Sequence, residues 1–340
     1  MATYKGIKGV KVETKTSDPT ASEAVGSVWY NSTGDALKYA VEGGGAWASG
    51  GALQPVSVPG VNRNAAAGTL AAGLTWGGYG QPPSGALTQT QTYASSAWTT
   101  VNSLNTGRQA SMGFGTQTAA ICCGGGAGDP IPSAANTEEF DGTCWTEKGD
   151  MATAKHSGGA GGTSTSGFCA AGNLTPSGSS QTTQKWDGTS WSNSNNTNSI
   201  HRYACGTGAS SSAGLLISGT APGQSALVEQ YDGTCWSEVA DVNTGRASAS
   251  ASGNSSTAAL MFGGTEPTPI AVNGIKTEEW NNTSWTAVGN LSAGRGAGAA
   301  NGSTTAAFYC AGNGLPWPTW LLITEEFEAP TYVIKTVTTS

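Results

Sequence analysis

The chain has 340 residues, a formal net charge of −7 and only 11% Asp, Glu, Lys and Arg, against about 25% in a typical soluble domain. No basic block is present to neutralise phosphates, which excludes non-specific nucleic-acid binding. No apolar run of about 18 residues would cross a bilayer as a helix. The 51 glycines stand beside 12 Trp, 9 Tyr and 6 Phe, and so many aromatics argue for a packed fold, because disordered chains bury too little to use them.

In chain order, residues 1–24 are polar and irregular and read as an N-terminal attachment arm. No apolar stretch follows Met1, so no secretory signal is expected. A hairpin spans Val28 to Trp47, with a strand over Leu37 to Val41. Six repeat units follow, at about 63–101, 108–148, 155–194, 202–239, 246–288 and 295–328. The chain then reaches a last strand over Tyr332 to Val337.

Each unit carries the same signals. A tryptophan returns about every 46 residues, at Trp47, Trp98, Trp145, Trp191, Trp236 and Trp285. A basic residue opens each unit: Arg63, Arg108, Lys155, Arg202, Arg246 and Arg295. A small-small step follows at Gly77-Gly78, Gly124-Gly125, Ala171-Gly172, Ser218-Gly219, Gly263-Gly264 and Ala311-Gly312. The third strand holds Gln91, Glu138, Gln184, Glu229, Glu278 or Glu325, each two residues before an aromatic.

A period in the 40s built from short strands predicts the blades of a β-propeller. The first strand of a blade is small-residue rich, as in Ser248-Ala249-Ser250-Ala251, and suits the inner position. Asn301-Gly302 reads as a type I′ hairpin turn. The second strand, as in Ala306 to Cys310, is apolar throughout and is expected to be fully buried. Asp-Gly pairs such as Asp141-Gly142 turn the chain into the fourth strand, where the tryptophan wedges against a neighbouring blade. The fold expected is all-β, a single propeller of four-stranded antiparallel blades over 25–340. Its ring has six blades closed by strands near 37–50, or seven if the Val28–Trp47 hairpin pairs with Tyr332–Val337.

These residues resemble kelch-type propeller repeats. Asn105-Thr106-Gly107-Arg108, Gly115-Thr116-Gln117-Thr118, Thr137-Glu138-Glu139-Phe140 and Thr277-Glu278-Glu279-Trp280 are similar to kelch-like repeats of tail-fibre and virion-associated proteins of marine tailed phages, cyanophages especially. Val25 to Asn31 with Leu37-Lys38-Tyr39 is similar to a module of phage fibre and virion proteins. The resemblance covers roughly residues 25–328. It implies a virion protein made in the host cytoplasm and displayed in several copies at the particle surface. It would serve as a tail-fibre or receptor-binding component, joined to other virion proteins through its arm and meeting a host glycan or protein. The alternatives are a purely structural capsid or tail decoration protein, and a glycan depolymerase.

No enzymatic chemistry is expected. The Arg, Glu and Trp of the repeats read as structural: Arg63, Arg108, Arg202, Arg246 and Arg295, with Glu138, Glu229, Glu278 and Glu325, as buried pairs, and Trp98, Trp145, Trp191, Trp236 and Trp285 as wedges. His156 and His201 lack a ligand motif, and neither metal nor cofactor is expected. A glycosidase needs two carboxylates on one pocket, and no acidic pair stands outside the repeats. The seven cysteines form no C-x-x-C motif and read as reduced. Cys144 and Cys235 exchange with Ser190 and Ser284 at one repeat position, which suggests a small filled space. Function is expected on the variable loops after the small-small step, with Trp317, Trp320 and Tyr79 as candidate ligand-binding residues.

Overall fold

The structure, a computed structural model, describes residues 12–20, 24, 26–42, 45–54, 60–80, 85–176, 178–220, 223–265, 274–316, 319–329 and 332–337, without the side chains of 41, 42, 332 and 333. Strands, turns and irregular connections make up the described residues, and none of these is helical. The chain divides into two compact units, Met1–Gly45 with Ala329–Ser340, and Ala46–Glu328.

The first unit is a four-stranded sheet in the order Glu13–Lys15, Val28–Asn31, Ala36–Glu42 and Tyr332–Thr336. The first pair is parallel and the other pairs are antiparallel. Trp29 and Ala40 pack with Ala24 and Ile334. Asp18 accepts hydrogen bonds from Lys38 Nζ at 2.7 Å, Asn31 Nδ2 at 2.7 Å and Trp29 Nε1 at 3.1 Å. Part of the segment read as an arm is therefore a strand of this sheet, and the division falls after Gly45 rather than after residue 24. The hairpin does pair with the C-terminal strand, but in a unit of its own.

Among the described residues, the second unit holds six four-stranded antiparallel sheets, consistent with propeller blades. Sheet 2 shows the pattern: Met112–Thr116, Ala119–Cys123, Thr137–Phe140 and Trp145–Lys148 pair in sequence order. Sheet 1 starts at Ala65–Gly68, sheet 3 at Gly159–Thr163, sheet 4 at Cys205–Ser210 and sheet 5 at Ser250–Ser252. Sheet 6 runs Ala299–Gly302, Ala306–Cys310 and Thr324–Glu328, and takes its fourth strand, Ala46–Gly50, from the other end of the unit's sequence. In that pairing Phe327 faces Trp47. The same aromatic-to-tryptophan pair recurs in every sheet, as at Tyr93–Trp98, Phe140–Trp145 and Tyr231–Trp236. The first strands contact one another in a closed order, from sheet 1 through sheet 6 and back to sheet 1.

The core lies between neighbouring sheets. Leu74 and Trp76 of sheet 1 cluster with Ala120, Cys122, Phe140 and Trp145 of sheet 2. At the seam, Ala299, Phe308 and Cys310 of sheet 6 cluster with Ala66, Tyr93 and Trp98 of sheet 1. The second strands are buried as expected. Burial of each large apolar side chain there contributes about 1.5–3 kcal/mol.

The small-small step reverses the chain through two left-handed residues. The first has φ near +60, which Ala171, Ser218 and Ala311 adopt. The second, always glycine, reaches +107 at Gly172, +109 at Gly219 and +101 at Gly312. A Cβ on Gly172 would lie 2.6 Å from the His156 carbonyl oxygen, so both φ and space require glycine there.

Two local readings need correction. Asn301-Gly302 is not the centre of a type I′ turn, because Asn301 and Gly302 end the first strand and pair with Phe308 and Ala307. The turn is Ser303 to Thr305, with the Ser303 hydroxyl accepting from the Thr305 and Ala306 amides. Cys144, Ser190, Cys235 and Ser284 fill no small space: they are exposed at the third-to-fourth-strand turn. Their amides donate to the Asp or Asn three residues earlier, at 2.8 Å for Cys144 to Asp141. A second amide bond comes from Thr143. These bonds, that of Cys144 foremost, hold the Asp141 carboxyl below its ordinary range. All seven cysteines are free.

Candidate functional site

Antiparallel order places the 1–2 and 3–4 turns at one end of each sheet. The 2–3 loops and the lead-in to the first strand lie at the other end. The lead-in segments repeat a backbone link that fixes their register. The second residue of each small-small step donates its N–H to the lead-in of the next sheet: Gly78 to Arg108, Gly125 to Lys155, Gly172 to His201, Gly219 to Arg246, Gly264 to Arg295 and Gly312 to Val61. The basic position is therefore Val61, Arg108, Lys155, His201, Arg246 and Arg295. Arg63 and Arg202, expected there, sit two residues and one residue beyond it. The sequence alignment slipped because Val61 and His201 do not look basic while an arginine stands close by.

At this position the charge pairs are buried. Arg108 Nη2 lies 2.5 Å from Glu138 Oε1, Arg246 Nη2 3.0 Å from Glu278 Oε1, and Arg295 Nη1 2.5 Å from Glu325 Oε1. In sheet 4, His201 Nε2 meets Glu229 Oε1 at 3.0 Å, while Nδ1 faces the Ser218 carbonyl at 2.8 Å. Both ring nitrogens thus face acceptors, the arrangement a guanidinium makes elsewhere. Burial pushes the Glu229 carboxyl up, but hydrogen bonds from His201 and from the Asn198 and Ser199 amides outweigh it and hold it low. The remaining oxygens of these carboxylates accept from the linker between sheets, as Glu138 Oε2 does from the Asn105 amide at 2.8 Å.

Where the carboxylate is missing, the guanidinium is missing too. Sheet 3 has Lys155 with Gln184, and sheet 1 has Val61 with Gln91. Lys155 donates to the carbonyls of Thr182 at 2.7 Å and Cys169 at 3.2 Å. Burial drives its pKa down to about 8, against the opposing pull of Cys169 and Cys123. Gln91 instead brackets the backbone of Gln54 with two bonds.

The tryptophans link each sheet to its predecessor. Trp145 donates Nε1 to Thr90 Oγ1 at 2.9 Å, Trp191 to Thr137 at 2.9 Å and Trp236 to Thr183 at 2.8 Å. Trp98 reaches Thr324 of sheet 6 at 2.8 Å, and Trp47 reaches Thr277 of sheet 5 at 2.9 Å. In sheet 4 the threonine is replaced by Val228, which cannot accept, and Trp285 turns to the Ala240 carbonyl at 3.0 Å.

Two residues past the basic position, every sheet has a non-glycine residue in the left-handed region: Arg63, Ala110, Ser157, Tyr203, Ser248 and Ala297, with φ between +52 and +56. Their backbones are joined in series: Ala110 N donates to Arg63 O, Ser157 N to Ala110 O, Ser248 N to Tyr203 O, Ala297 N to Ser248 O and Arg63 N to Ala297 O. Four of the six side chains are Ala or Ser. Arg63 and Tyr203 break that pattern, in sheets 1 and 4.

These two residues line two cavities at this end of the unit. One, of about 440 Å³, is bordered by residues of all six sheets. The other, of about 340 Å³, is lined by Arg63, Arg202, Tyr203, His156 and Asn173 together with loop residues around Pro130 and Pro176. Arg63 Nη1 donates to Gln109 Oε1 at 2.9 Å, and Arg202 Nε to Asn173 Oδ1 at 2.7 Å. The Arg202 guanidinium stands 5.8 Å from the Tyr203 ring centroid. Burial and then the two guanidiniums push the His156 pKa down to about 4, so its ring is neutral near pH 7.

Of the residues expected to bind, Tyr79 and Trp320 are brought together, with ring centroids 5.5 Å apart. Both are half-buried. Trp320 sits in a short ladder with Asn313, and its neighbour Leu321 bridges to Val61 of the sheet 1 lead-in. The pair thus lies at the seam between sheets 6 and 1. Trp317 lies outside the described residues. Sequence reasoning missed Tyr203, His156 and Asn173 as one group. The available signal was a Tyr and an Arg where other repeats keep Ala or Ser.

No family model matches the chain, and no curated protein matches it.

Proposed function

We propose that Ala46–Glu328 is a six-bladed, kelch-like β-propeller closed by Ala46–Gly50, and that the protein binds without catalysing. The closed series of first-strand contacts, the tryptophan links running through Trp47, and the backbone bond from Arg63 to Ala297 support six blades. The phage-like repeat motifs support a place on the surface of a tailed-phage virion, as a tail-fibre or receptor-binding component.

One observation carries the binding role. The repeated charges and tryptophans are occupied within the scaffold, whereas Arg63, Arg202 and Tyr203, which depart from the repeat, gather at the end that carries the variable loops. Rigid scaffolds place binding residues in this way. A weak site repeated over several copies on a particle gains avidity through effective concentration. The test is adsorption of the labelled full chain, presented multivalently, to candidate marine bacterial host cells. Saturable adsorption supports the reading; its absence across the cells tested would favour a decoration role.

A further inference from the structure

The cavity of about 340 Å³ between the lead-in segments and loops of blades 1 to 4 falls at the lower end of the range typical for small-ligand sites. Its wall differs in chemistry from the rest of this end of the propeller. The equivalent lead-in positions elsewhere are Ala110, Ser157, Ser248 and Ala297, preceded by Gln109, His156, Ala247 and Gly296. Here they are Arg63, Arg202 and Tyr203.

Any non-glycine residue in the left-handed region costs about 1–3 kcal/mol, and the six equivalent residues share it. Ala and Ser already fill that position in four blades, so the fold does not need Arg63 or Tyr203 there. Each guanidinium uses one donor on a protein acceptor, Gln109 or Asn173. Their remaining donors have no protein partner among the described residues. Asn173 is 3% exposed; its Oδ1 is taken by Arg202 and its Nδ2 has no partner among the described residues. A buried donor left in this way costs about 1–3 kcal/mol unless something meets it. Tyr203 keeps 36% of its surface exposed, and an aromatic face of this kind can stack on an apolar ring face.

We propose that this cavity binds a carboxylate-bearing saccharide, with Arg63 and Arg202 taking the carboxylate and Tyr203 stacking on the sugar ring. Asn173 Nδ2 donates to a sugar oxygen. Two guanidiniums and the exposed carboxylate of Asp129, also on the lining, leave one net positive charge. That matches a monoanionic carboxylate better than a phosphate carrying nearly two negative charges. The guanidinium fork meets the two carboxylate oxygens in a plane. His156, held neutral between the arginines, contributes a ring nitrogen and no third charge. This inference rests on the reading of the protein as a cell-surface-binding propeller, and it names the chemistry recognised.

The test uses the full chain and a variant that copies the other blades, Arg63→Ser, Arg202→Ala and Tyr203→Ser together. Because Ser157, Ala247 and Ser248 occupy the matching positions, the variant should fold, and its thermal unfolding is checked. Titration calorimetry measures tetragalacturonate, neutral tetragalactose and glucose 6-phosphate. Binding of tetragalacturonate, at least tenfold tighter than the neutral tetramer and weakened roughly tenfold to hundredfold in the variant, is expected. Equal binding of the two tetramers, unaltered binding in the variant, or preference for the phosphate would overturn the proposal. Cell adsorption of both proteins separates the two readings. Adsorption shared equally by wild type and variant sinks the cavity proposal alone. Loss of adsorption by a stable variant supports it, and failure of the wild type to adsorb counts against both.

Discussion

The buried pair of sheet 2 can be replaced by the solution the protein itself uses in sheet 1. Arg108 and Glu138 are 3% and 1% exposed and 2.5 Å apart. Arg108→Val alone leaves the Glu138 charge buried with only neutral donors, and Glu138→Gln alone leaves the guanidinium uncompensated. Either should cost about 3–5 kcal/mol, the range for breaking a buried pair by removing one partner. The double variant Arg108→Val/Glu138→Gln reproduces Val61 and Gln91. It buries no charge, but it loses the Arg108 bonds to the carbonyls of Asn136 and Thr106, at about 1 kcal/mol each. Its expected cost is about 2–4 kcal/mol, well below the sum of the single variants. The favourable coupling should then be about 2 kcal/mol or more. Urea unfolding followed by tryptophan fluorescence measures all four proteins, with equal m-values as the check on a common transition. A double variant that costs the sum of the singles, or a single variant costing under about 1 kcal/mol, would falsify the reasoning.

Three more perturbations follow. Lys155 holds fewer protons when folded than when unfolded, since burial lowers its pKa to about 8 from 10.5; stability should therefore rise with pH across this window. Relative to Lys155→Met, the wild type should gain about 1.4 kcal/mol between pH 7 and pH 9, and a flat difference curve would contradict the shift. Gly312→Ala places a Cβ 2.8 Å from the Gly296 carbonyl oxygen at φ +101; a loss of about 2 kcal/mol or more is expected in urea unfolding, whereas Ala311→Gly should change stability by less than about 1 kcal/mol. Trp47→Ala removes the bond to Thr277 and ring contacts with Phe262 and Phe327; it should cost about 3 kcal/mol, and a cost under about 1 kcal/mol would mean that Ala46–Gly50 contributes little to the sixth sheet.

Much of the scaffold was legible because it repeats. Trp98, Trp145 and Trp236 mark their strands by spacing alone, and the apolar second strands need no side-chain detail. The exchange of Gly124 with Ala171 or Ser218, beside an invariant second glycine, already reflects two left-handed conformations of different tolerance. Repetition also misled. Arg63 and Arg202 were drawn into the repeat because an arginine close to the basic position looks equivalent in sequence. Only the backbone bonds from Gly312 to Val61 and from Gly172 to His201 reveal the shift. The candidate site was illegible for the same reason, since its residues come from the lead-ins and loops of sheets 1 to 4 and meet only when those sheets pack side by side. The first unit was hidden differently: the pairing of Glu13–Lys15 with Val28–Asn31 is parallel, and no local turn announces it.

The most direct test of the binding role is an adsorption isotherm on candidate host cells, comparing the monomeric chain with the same chain displayed on a tetravalent carrier. A shared weak site predicts saturable adsorption, with the tetravalent form about 10²–10⁴-fold tighter. Absence of saturable adsorption in the tetravalent form would contradict the account.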